Sequence, residues 1–373
     1  MLGRLRWAAF GAVGAVLALV ACDDSDNART SESASSDALT APPATSEASN
    51  IEPGADDTTA SANPFAGYDS WIAFQRIAQG DALQVWLVHP DGSGEHQVLT
   101  DVADDVRYPA WSPDGERLVV ASIGGPIERL YEYDLATATS RVPISCDACA
   151  ADEPSYSPDG KRLLFVLYDG GFVFSENVGG EVPADCGLAI QDLATGEISR
   201  LTSNTEPPCD REYGPRWSPD GLQIVYSRDP YEAGRPKGTS VYVIDADGTN
   251  ERRLTGPSLP MGEAAWSPDG AWIVLSSYPL FEFGEAPAPS NIYRIRPDGT
   301  GLEQLTFNSG SDPRATIPSF SPDGAWIVFT SVTATGRNLA VIPADGGDAV
   351  VLAAGSEGHN FTAPAWQPSG GSG

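Results

Sequence analysis

The sequence predicts an all-β fold, a six-bladed β-propeller of four-stranded antiparallel blades, and three observations carry that prediction. First, an aromatic-Ser-Pro-Asp-Gly motif recurs at Trp111–Gly115, Tyr156–Gly160, Trp217–Gly221, Trp266–Gly270 and Phe320–Gly324, with a degenerate copy, Trp-Gln-Pro-Ser-Gly, at Trp366–Gly370. The copies lie 45, 61, 49, 54 and 46 residues apart, the spacing of a tandem repeat architecture. Second, the same order of strand and turn signals follows each copy. Third, the residues ahead of the first copy supply what the last copy lacks.

Within a repeat, Tyr108-Pro-Ala-Trp111 reads as a short first strand and Ser112-Pro-Asp-Gly115 as a type I turn. Proline presets the dihedral of the second turn position, Ser and Asp bond nearby amides, and glycine takes the left-handed position. An apolar strand comes next: Leu118–Ala121, Leu163–Leu167, Ile224–Tyr226, Ile273–Leu275 and Ile327–Phe329. Such runs, apolar on both faces, suit strands with a sheet packed on either side. A third strand follows, as in Leu130–Asp134, Val241–Asp245 and Ile292–Ile295. Tight turns such as Asp91-Gly92, Asp247-Gly248, Asp298-Gly299 and Asp345-Gly346 close it. A fourth strand ends in a Leu-Thr pair at 99–100, 201–202, 254–255 and 305–306. Four antiparallel strands repeated six times describe a propeller.

Residues 71–100 hold only second, third and fourth strands, and after Trp366 little remains. The strand around Ala363–Trp366 is therefore expected to complete the blade begun near Tyr68. That overlap closes the ring and hides the edges a linear array would expose. Numbering that blade as the first, six blades follow. The propeller is expected over residues 67–369, with 370–373 a flexible tail.

The 373 residues carry 51 Asp and Glu against 22 Lys and Arg, a formal net charge of -29. That balance disfavours nucleic acid and anionic membrane surfaces as partners. The first residues read as a targeting segment. Arg4 and Arg6 precede an apolar stretch, Trp7–Ala21, too short for a comfortable membrane span. It ends in Leu19-Val20-Ala21-Cys22, which resembles a bacterial lipoprotein processing site. Residues 1–21 are thus expected to be a signal peptide and Cys22 the lipidated N-terminus, the membrane being reached through that anchor alone. Residues 23–67 hold nine acids and one base. Rich in Ser, Ala, Thr and Pro, residues 22–66 cannot bury enough apolar surface to fold, and read as a disordered acidic tether.

The Ser-Pro-Asp-Gly copies, the Ile-Tyr and Val-Tyr third strands and the closing Leu-Thr pairs resemble the TolB-like family of six-bladed propellers over residues 68–369. Trp-Asp-type propellers are the alternative, but no Trp-Asp pair occurs and Gly-His, present once at 358–359, does not recur with the repeats. The resemblance implies an exported protein of the bacterial cell envelope, here in a lipoprotein form with a tether where TolB has an α/β domain. It implies a periplasmic or outer-surface location and only by analogy a link to the Tol-Pal system.

Strand order sets the two ends of the ring apart. The Ser-Pro-Asp-Gly and Asp-Gly turns lie at one end, short and uniform. The links between second and third strands, and between blades, lie at the other, where Asp169–Gly187, Ser203–Pro215, Asp229–Gly238, Tyr278–Ser290 and Phe307–Pro318 read as long loops. Variable loops on a rigid scaffold are where binding sits. Phe172, Phe174, Tyr213, Tyr231, Phe281 and Phe283 fall there as candidates for a binding face, since rigid aromatics suit protein or glycan partners. Cys146, Cys149, Cys186 and Cys209 fall on the same face, and an even number in an exported chain reads as disulfides. Either Cys146 pairs with Cys149 and Cys186 with Cys209, or the pairs cross.

A catalytic constellation is not legible. The three histidines, His89, His96 and His359, are dispersed, and no Gly-x-Ser-x-Gly elbow occurs. Asp245-Ala-Asp-Gly-Thr-Asn250 resembles the start of a calcium loop, but it occupies the hairpin position of the other Asp-Gly turns. No cofactor and no metal are expected. The sequence thus points to a monomeric, lipid-anchored envelope propeller that binds a protein or peptide through its loop face and central mouth. The alternatives are a carbohydrate-binding or hydrolase- or lyase-type enzyme using carboxylates near the axis, and a spacer without a ligand.

Overall fold

The computed structural model describes Phe65 and residues 68–78, 83–123, 128–144, 150–175, 180–203, 210–229, 231–232, 235–236, 238–256, 259–277, 289–309, 314–355 and 359–369. These residues form six four-stranded antiparallel sheets. From the axis outward, blade two runs Asp105–Trp111, Arg117–Ile123, Leu130–Asp134, Thr139–Arg141. Blade three begins at Ala150–Tyr156, blade four at Arg211–Trp217, blade five at Met261–Trp266 and blade six at Arg314–Phe320. Blade one takes its inner strand from His359–Trp366 and its other three from Ile72–Ala78, Gln84–Val88 and His96–Gln97. Each inner strand touches the next around a closed circle. The propeller, its count of blades and its closure are those the repeats predicted.

No single central core exists. Apolar residues gather in six layers, one at each blade–blade interface. Between blades three and four, for example, Leu164, Val166 and Leu188 meet Trp217, Ile224, Tyr226 and Ile244. Between blades two and three, Val119, Ala121 and Leu130 meet Leu163, Phe165 and Ala189. Alternation along the second strand sends Leu118 and Val120 to one neighbour and Val119 and Ala121 to the other. That is why these strands read as apolar throughout.

The repeated motif interlocks the blades. In each full copy the glycine N–H donates to the serine carbonyl at 2.9 Å, and the serine hydroxyl donates to the aspartate at 2.5–2.6 Å. A β-carbon on Gly160, Gly221, Gly270 or Gly324 would lie 3.3–3.6 Å from the proline of the preceding blade's turn. Each turn therefore nests on its neighbour. The Leu-Thr pair is a clamp on the third strand. Leu201, Leu254 and Leu305 donate their N–H to Leu188, Val241 and Ile292, whose own N–H groups return to the hydroxyls of Thr202, Thr255 and Thr306 at 2.8–2.9 Å.

At the seam the turn is assembled from the two halves of blade one. In blade two Ser112 receives the Arg117 N–H on its hydroxyl and donates its own N–H to the Arg117 carbonyl. In blade one Trp71 stands where Arg117 would, and the longer Gln367 stands for serine. The Gln367 N–H donates to the Trp71 carbonyl at 2.8 Å, and the Trp71 N–H donates to Gln367 Oε1 at 2.9 Å. Gln367 Nε2 then reaches the Gly115 carbonyl at 2.8 Å, tying the seam to the next turn.

One expectation is corrected here. Asp169–Gly187 is not a loop, because strand Arg162–Ser175 pairs with Gly180–Asp192 to carry the second and third strands of blade three outward as a long hairpin. The run Gly170-Gly-Phe-Val-Phe-Ser175 is rich in β-forming residues, and the paired backbone satisfies groups a loop would leave to water. Likewise Asp229–Gly238 contains a short hairpin, Tyr231–Glu232 with Arg235–Pro236.

Two stability predictions follow from these contacts. Trp217 is 6% exposed and lies beneath the Arg162 guanidinium, 4.4 Å from its ring. Trp217→Ala should cost about 3–5 kcal/mol in urea unfolding; a loss under about 1 kcal/mol would mean that the interface does not depend on the indole. Gln367→Ala removes both side-chain bonds of the seam and should cost about 1–3 kcal/mol. A two-state transition of unchanged midpoint would show that closure does not rely on it.

Candidate functional site

The six inner strands line the channel, and each carries the same irregularity. The register to the second strand shifts between Arg107 and Ala110, Asp152 and Ser155, Tyr213 and Arg216, Gly262 and Ala265, and Thr316 and Ser319; blade one shifts beside Thr362 and Ala365. At every one of these bulges a residue takes positive φ: Tyr108, Glu153, Gly214, Glu263, Ile317 and Ala363, at 48–61°. Only Gly214 accepts this without a side-chain penalty, and for β-branched Ile317 it is a true outlier. Five of the six precede proline, which supplies no amide at the widened position. A bulge re-aims side chains, and strained residues recur where a surrounding structure holds them for a purpose.

The bulges join the blades through two carboxylates, one buried and one half-buried. Glu153 Oε2 accepts the N–H of Gly214 in the next blade. Glu263 Oε2 accepts the N–H of Ile317 in the next blade at 2.8 Å and the Ser276 hydroxyl at 3.1 Å. One position earlier, Arg107 grips Asp152 of blade three through two bonds, 2.7 and 3.2 Å, and Glu128 at 3.1 Å. Arg107 and Asp152 are each 5% exposed, so this fork-to-fork pair holds blades two and three in a low-dielectric setting. Arg211 lies 3.8 Å from Glu153 and over the ring of Tyr213. Outside that group, Glu212 pairs with Arg228 at 2.6 Å and accepts the Thr202 hydroxyl.

Burial dominates the protonation of this group. It pushes Glu153 up to about 7, with the neighbouring charge of Asp152 adding to the rise. It pushes Glu128 to about 7 as well, Asp152 again adding and Arg107 opposing. Asp152 itself is raised by burial against the pull of Arg107. The turn aspartates Asp159, Asp220 and Asp269 move the other way, lowered by the serine hydroxyl each accepts.

The sequence-level candidates distribute unevenly over this geometry. Tyr213 is on the inner strand of blade four but is buried, 4% exposed, its hydroxyl donating to Thr239 at 3.2 Å. It therefore supports the channel wall and offers no ring to a partner. The backbones of Phe172 and Phe174 lie in the extended hairpin of blade three and that of Tyr231 in the short hairpin of blade four. Phe281 and Phe283 lie outside the described residues, as do Cys22, Cys146, Cys149 and Cys209. Cys186 is disulfide-bonded, and its sulfur lies 3.4 Å from the Asp210 carbonyl.

His89 stacks on Trp71 at 3.6 Å, and His96 meets the same ring edge-on. Asp247 accepts the Thr249 N–H and Asp245 the Asn250 amide, so the calcium-like loop is a hairpin whose acids bond to their own turn. Among the described residues no group of three or more His, Cys, Asp or Glu is placed to hold a metal. A cavity at the seam touches Tyr68, Asp69, Asp114, Asp323 and Gln367, but Asp114 and Asp323 are engaged in their own turns.

The bulge ring escaped the sequence reading, although a signal for it exists. Tyr-Pro-Ala-Trp111, Glu-Pro-Ser-Tyr156, Gly-Pro-Arg-Trp217, Glu-Ala-Ala-Trp266, Ile-Pro-Ser-Phe320 and Ala-Pro-Ala-Trp366 align just ahead of the turn motif.

The raised carboxylates make stability depend on pH. With ordinary values near 4.5 and native values of about 7, Glu128 and Glu153 stay protonated in the fold where the unfolded chain has released its protons. Their contribution is complete below about pH 4.5 and is lost as pH rises through about 7. Unfolding free energy should fall by on the order of 3 kcal/mol for each group across that window. Glu153→Gln keeps an acceptor for the Gly214 N–H and should flatten the fall. Denaturant titrations at several pH values check this, and an unaltered slope in the variant would place the titration elsewhere.

No family model matches the chain. Among characterised and uncharacterised relatives, it is 29% identical over 286 residues to the uncharacterized protein Atu1656 of Agrobacterium fabrum, covering 74% of this chain and 85% of that one. It is 24% identical over 316 residues to the Tol-Pal system protein TolB of Francisella tularensis, covering 82% of this chain but 62% of TolB. Among solved structures, TolB from Acinetobacter baumannii superimposes with a TM-score of 0.63 at 22% identity, over 81% of this chain and 67% of that one. An oligogalacturonate lyase in complex with manganese shares the fold with a TM-score of 0.52 at 19% identity, over 72% and 70%. Six four-stranded blades, the turn motif that interlocks them and these likenesses make the chain a six-bladed β-propeller similar to TolB.

Proposed function

We propose that this chain is a non-enzymatic envelope protein that recognises a protein or peptide through the loop-bearing end of the propeller and the channel mouth. The observation that carries the reading is the inequality of the two ends. At one end five full turn motifs repeat the same bonds. At the other the blades diverge, with the extended hairpin of blade three and the added hairpin of blade four. Binding surfaces are built on such variable segments over a rigid frame. The likeness to TolB supports a partner in the envelope, and since the chain spans 62% of TolB the role of the whole relative does not transfer with it.

In this reading residues 1–21 direct export, Cys22 carries lipid, residues 22–66 hold the propeller away from the membrane and residues 370–373 are a tail. Phe172, Phe174, Tyr231, Phe281 and Phe283 contribute to the recognising surface, with glycan the other ligand class they suit. The contact of Cys186 with Asp210, the residue after Cys209, favours a Cys186–Cys209 disulfide. A second reading draws on Glu128 and Glu153, buried carboxylates raised to about 7 beside the channel, a range suited to acid–base work, and on the lyase among the structural neighbours.

Site-specific photocrosslinking in cells tests the first reading. Phe307 is 77% exposed at the loop end and Leu222 is 66% exposed at the turn end. A photoreactive residue at 307 should give a discrete adduct and one at 222 should not, and Cys22→Ala should move the protein from the detergent phase to the aqueous phase. Adducts from both positions alike, or from neither, would sink the face assignment. Turnover of a peptide or oligogalacturonate panel, abolished by Glu153→Gln, would replace binding with catalysis.

A further inference from the structure

Two residues past the bulge, five blades place a small side chain on the inner strand: Ala110, Ser155, Ala265, Ser319 and Ala365. Blade four places Arg216 there. Its guanidinium makes one hydrogen bond among the described residues, Nη1 to the Pro215 carbonyl at 2.9 Å. A guanidinium has five N–H donors, so four remain. No carboxylate among the described residues comes within 4.0 Å of it. The acid that bears on it is Glu153, with the phenol of Tyr108 also facing it. Glu153 is already engaged by the Gly214 N–H and by Arg211. Burial disfavours the charge on Arg216, lowering its pKa.

Arg216 is half-buried, and its unbonded donors reach solvent with only a shared, distant carboxylate near them, so they are open to an anion. The rest of the channel does not supply one. Arg107 is taken by Asp152 and Glu128, and Glu263 by Ile317 and Ser276. At the loop end of blade six Arg314 and Glu263 both bear on Arg337.

We propose that Arg216 forms an anion site on the channel wall that takes a carboxylate, held by the planar fork of the guanidinium. A carboxylate matches that fork with two parallel bonds, where a spherical ion makes weaker use of it. The net charge of -29 opposes any anion at long range, so capture depends on local donors and the expected affinity for a small acid is weak. The carboxylate is that of a free small acid or of a peptide terminus, and the site does not require the loop-end partner.

The test uses the folded, mature chain. Bromide-soaked crystals should show anomalous density within hydrogen-bond reach of the Arg216 guanidinium. In solution at constant ionic strength, N-acetylglycine should raise the melting temperature with concentration, and N-acetylglycinamide should not. Both effects should vanish in Arg216→Ser and persist in weakened form in Arg216→Lys. Ser and Ala stand at this position in the other five blades, so Arg216→Ser should fold, and a cooperative unfolding transition confirms that it has. Trialanine binding about tenfold more tightly than acetate would assign the site to peptide termini; equal affinity would assign it to small acids. Absence of bromide density at Arg216, or an N-acetylglycine shift equal in wild type and Arg216→Ser, overturns the proposal. Bromide density with no response to N-acetylglycine means an adventitious ion only, which overturns it as well.

Discussion

Everything in this propeller depends on a turn that the chain does not make covalently. Five blades join first strand to second through a Ser-Pro-Asp-Gly link; in blade one the two strands come from opposite ends of the sequence. Gln367 and Trp71 reproduce the bonding of that link, carbonyl to N–H in both directions, with a side chain one amide longer than serine. The same glutamine then bonds the turn of blade two. Around it Phe65 meets Tyr68 and Trp326 edge to face, and Trp366 lies tilted against Phe65 and Tyr68; the Trp366 indole donates to Ser70 and the Trp111 indole donates to Ala365. A weaker seam would leave two sheet edges open and two interblade layers unpaired, because each layer needs both of its blades.

Closure also explains why the strain at the channel wall can persist. Positive φ at bulky residues costs on the order of 1 kcal/mol or more each, and an open array could relax it blade by blade. In a closed ring the inner strands abut on both sides, so a bulge can straighten only if its neighbours move. Glu153 and Glu263 add a direct coupling, each holding the bulge amide of the following blade. Arg107 and Asp152 do the same one position earlier. The wall is thus a set of mutually supported irregularities, well suited to hold side chains in fixed positions about the axis.

The architecture was legible in the sequence because the residues that build it are local. Ser112, Pro113, Asp114 and Gly115 make their turn largely with one another, and Leu-Thr pairs clamp a strand fourteen residues away. Such signals survive repetition and can be counted. The hairpin at 162–192 was misread because Gly170-Gly171 and Pro183 look like loop residues, while the pairing that makes them strand is between the two arms. The channel wall was harder still. Its groups come from six strands separated by about fifty residues each, and only aligning the segments just ahead of the turn motifs brings Glu153 and Arg216 into the same ring of positions. Tyr213 shows the converse error: an aromatic residue near a link reads as exposed, yet the bulge turns it inward toward Thr239.

Charge separates the wall from the rest of the molecule. The acids of the turn end are spent singly, each lowered by its own serine and backbone partners, so that end is anionic at every physiological pH and uniform around the ring. The inner strands mix both signs instead: Arg107, Arg211, Arg216 and Arg314 stand among Asp105, Asp152, Glu153, Glu212 and Glu263. Glu128 and Glu153 are held near neutrality by burial, so the balance of the wall shifts with small changes in pH while that of the turn end does not. An anionic shell around a less anionic, tunable channel excludes negatively charged molecules from the surface without excluding a correctly shaped one from the axis. The consequence is a division of labour within one fold. The repeats supply rigidity and solubility, and the departures from repetition, at the bulges and the loop end, are left to supply recognition.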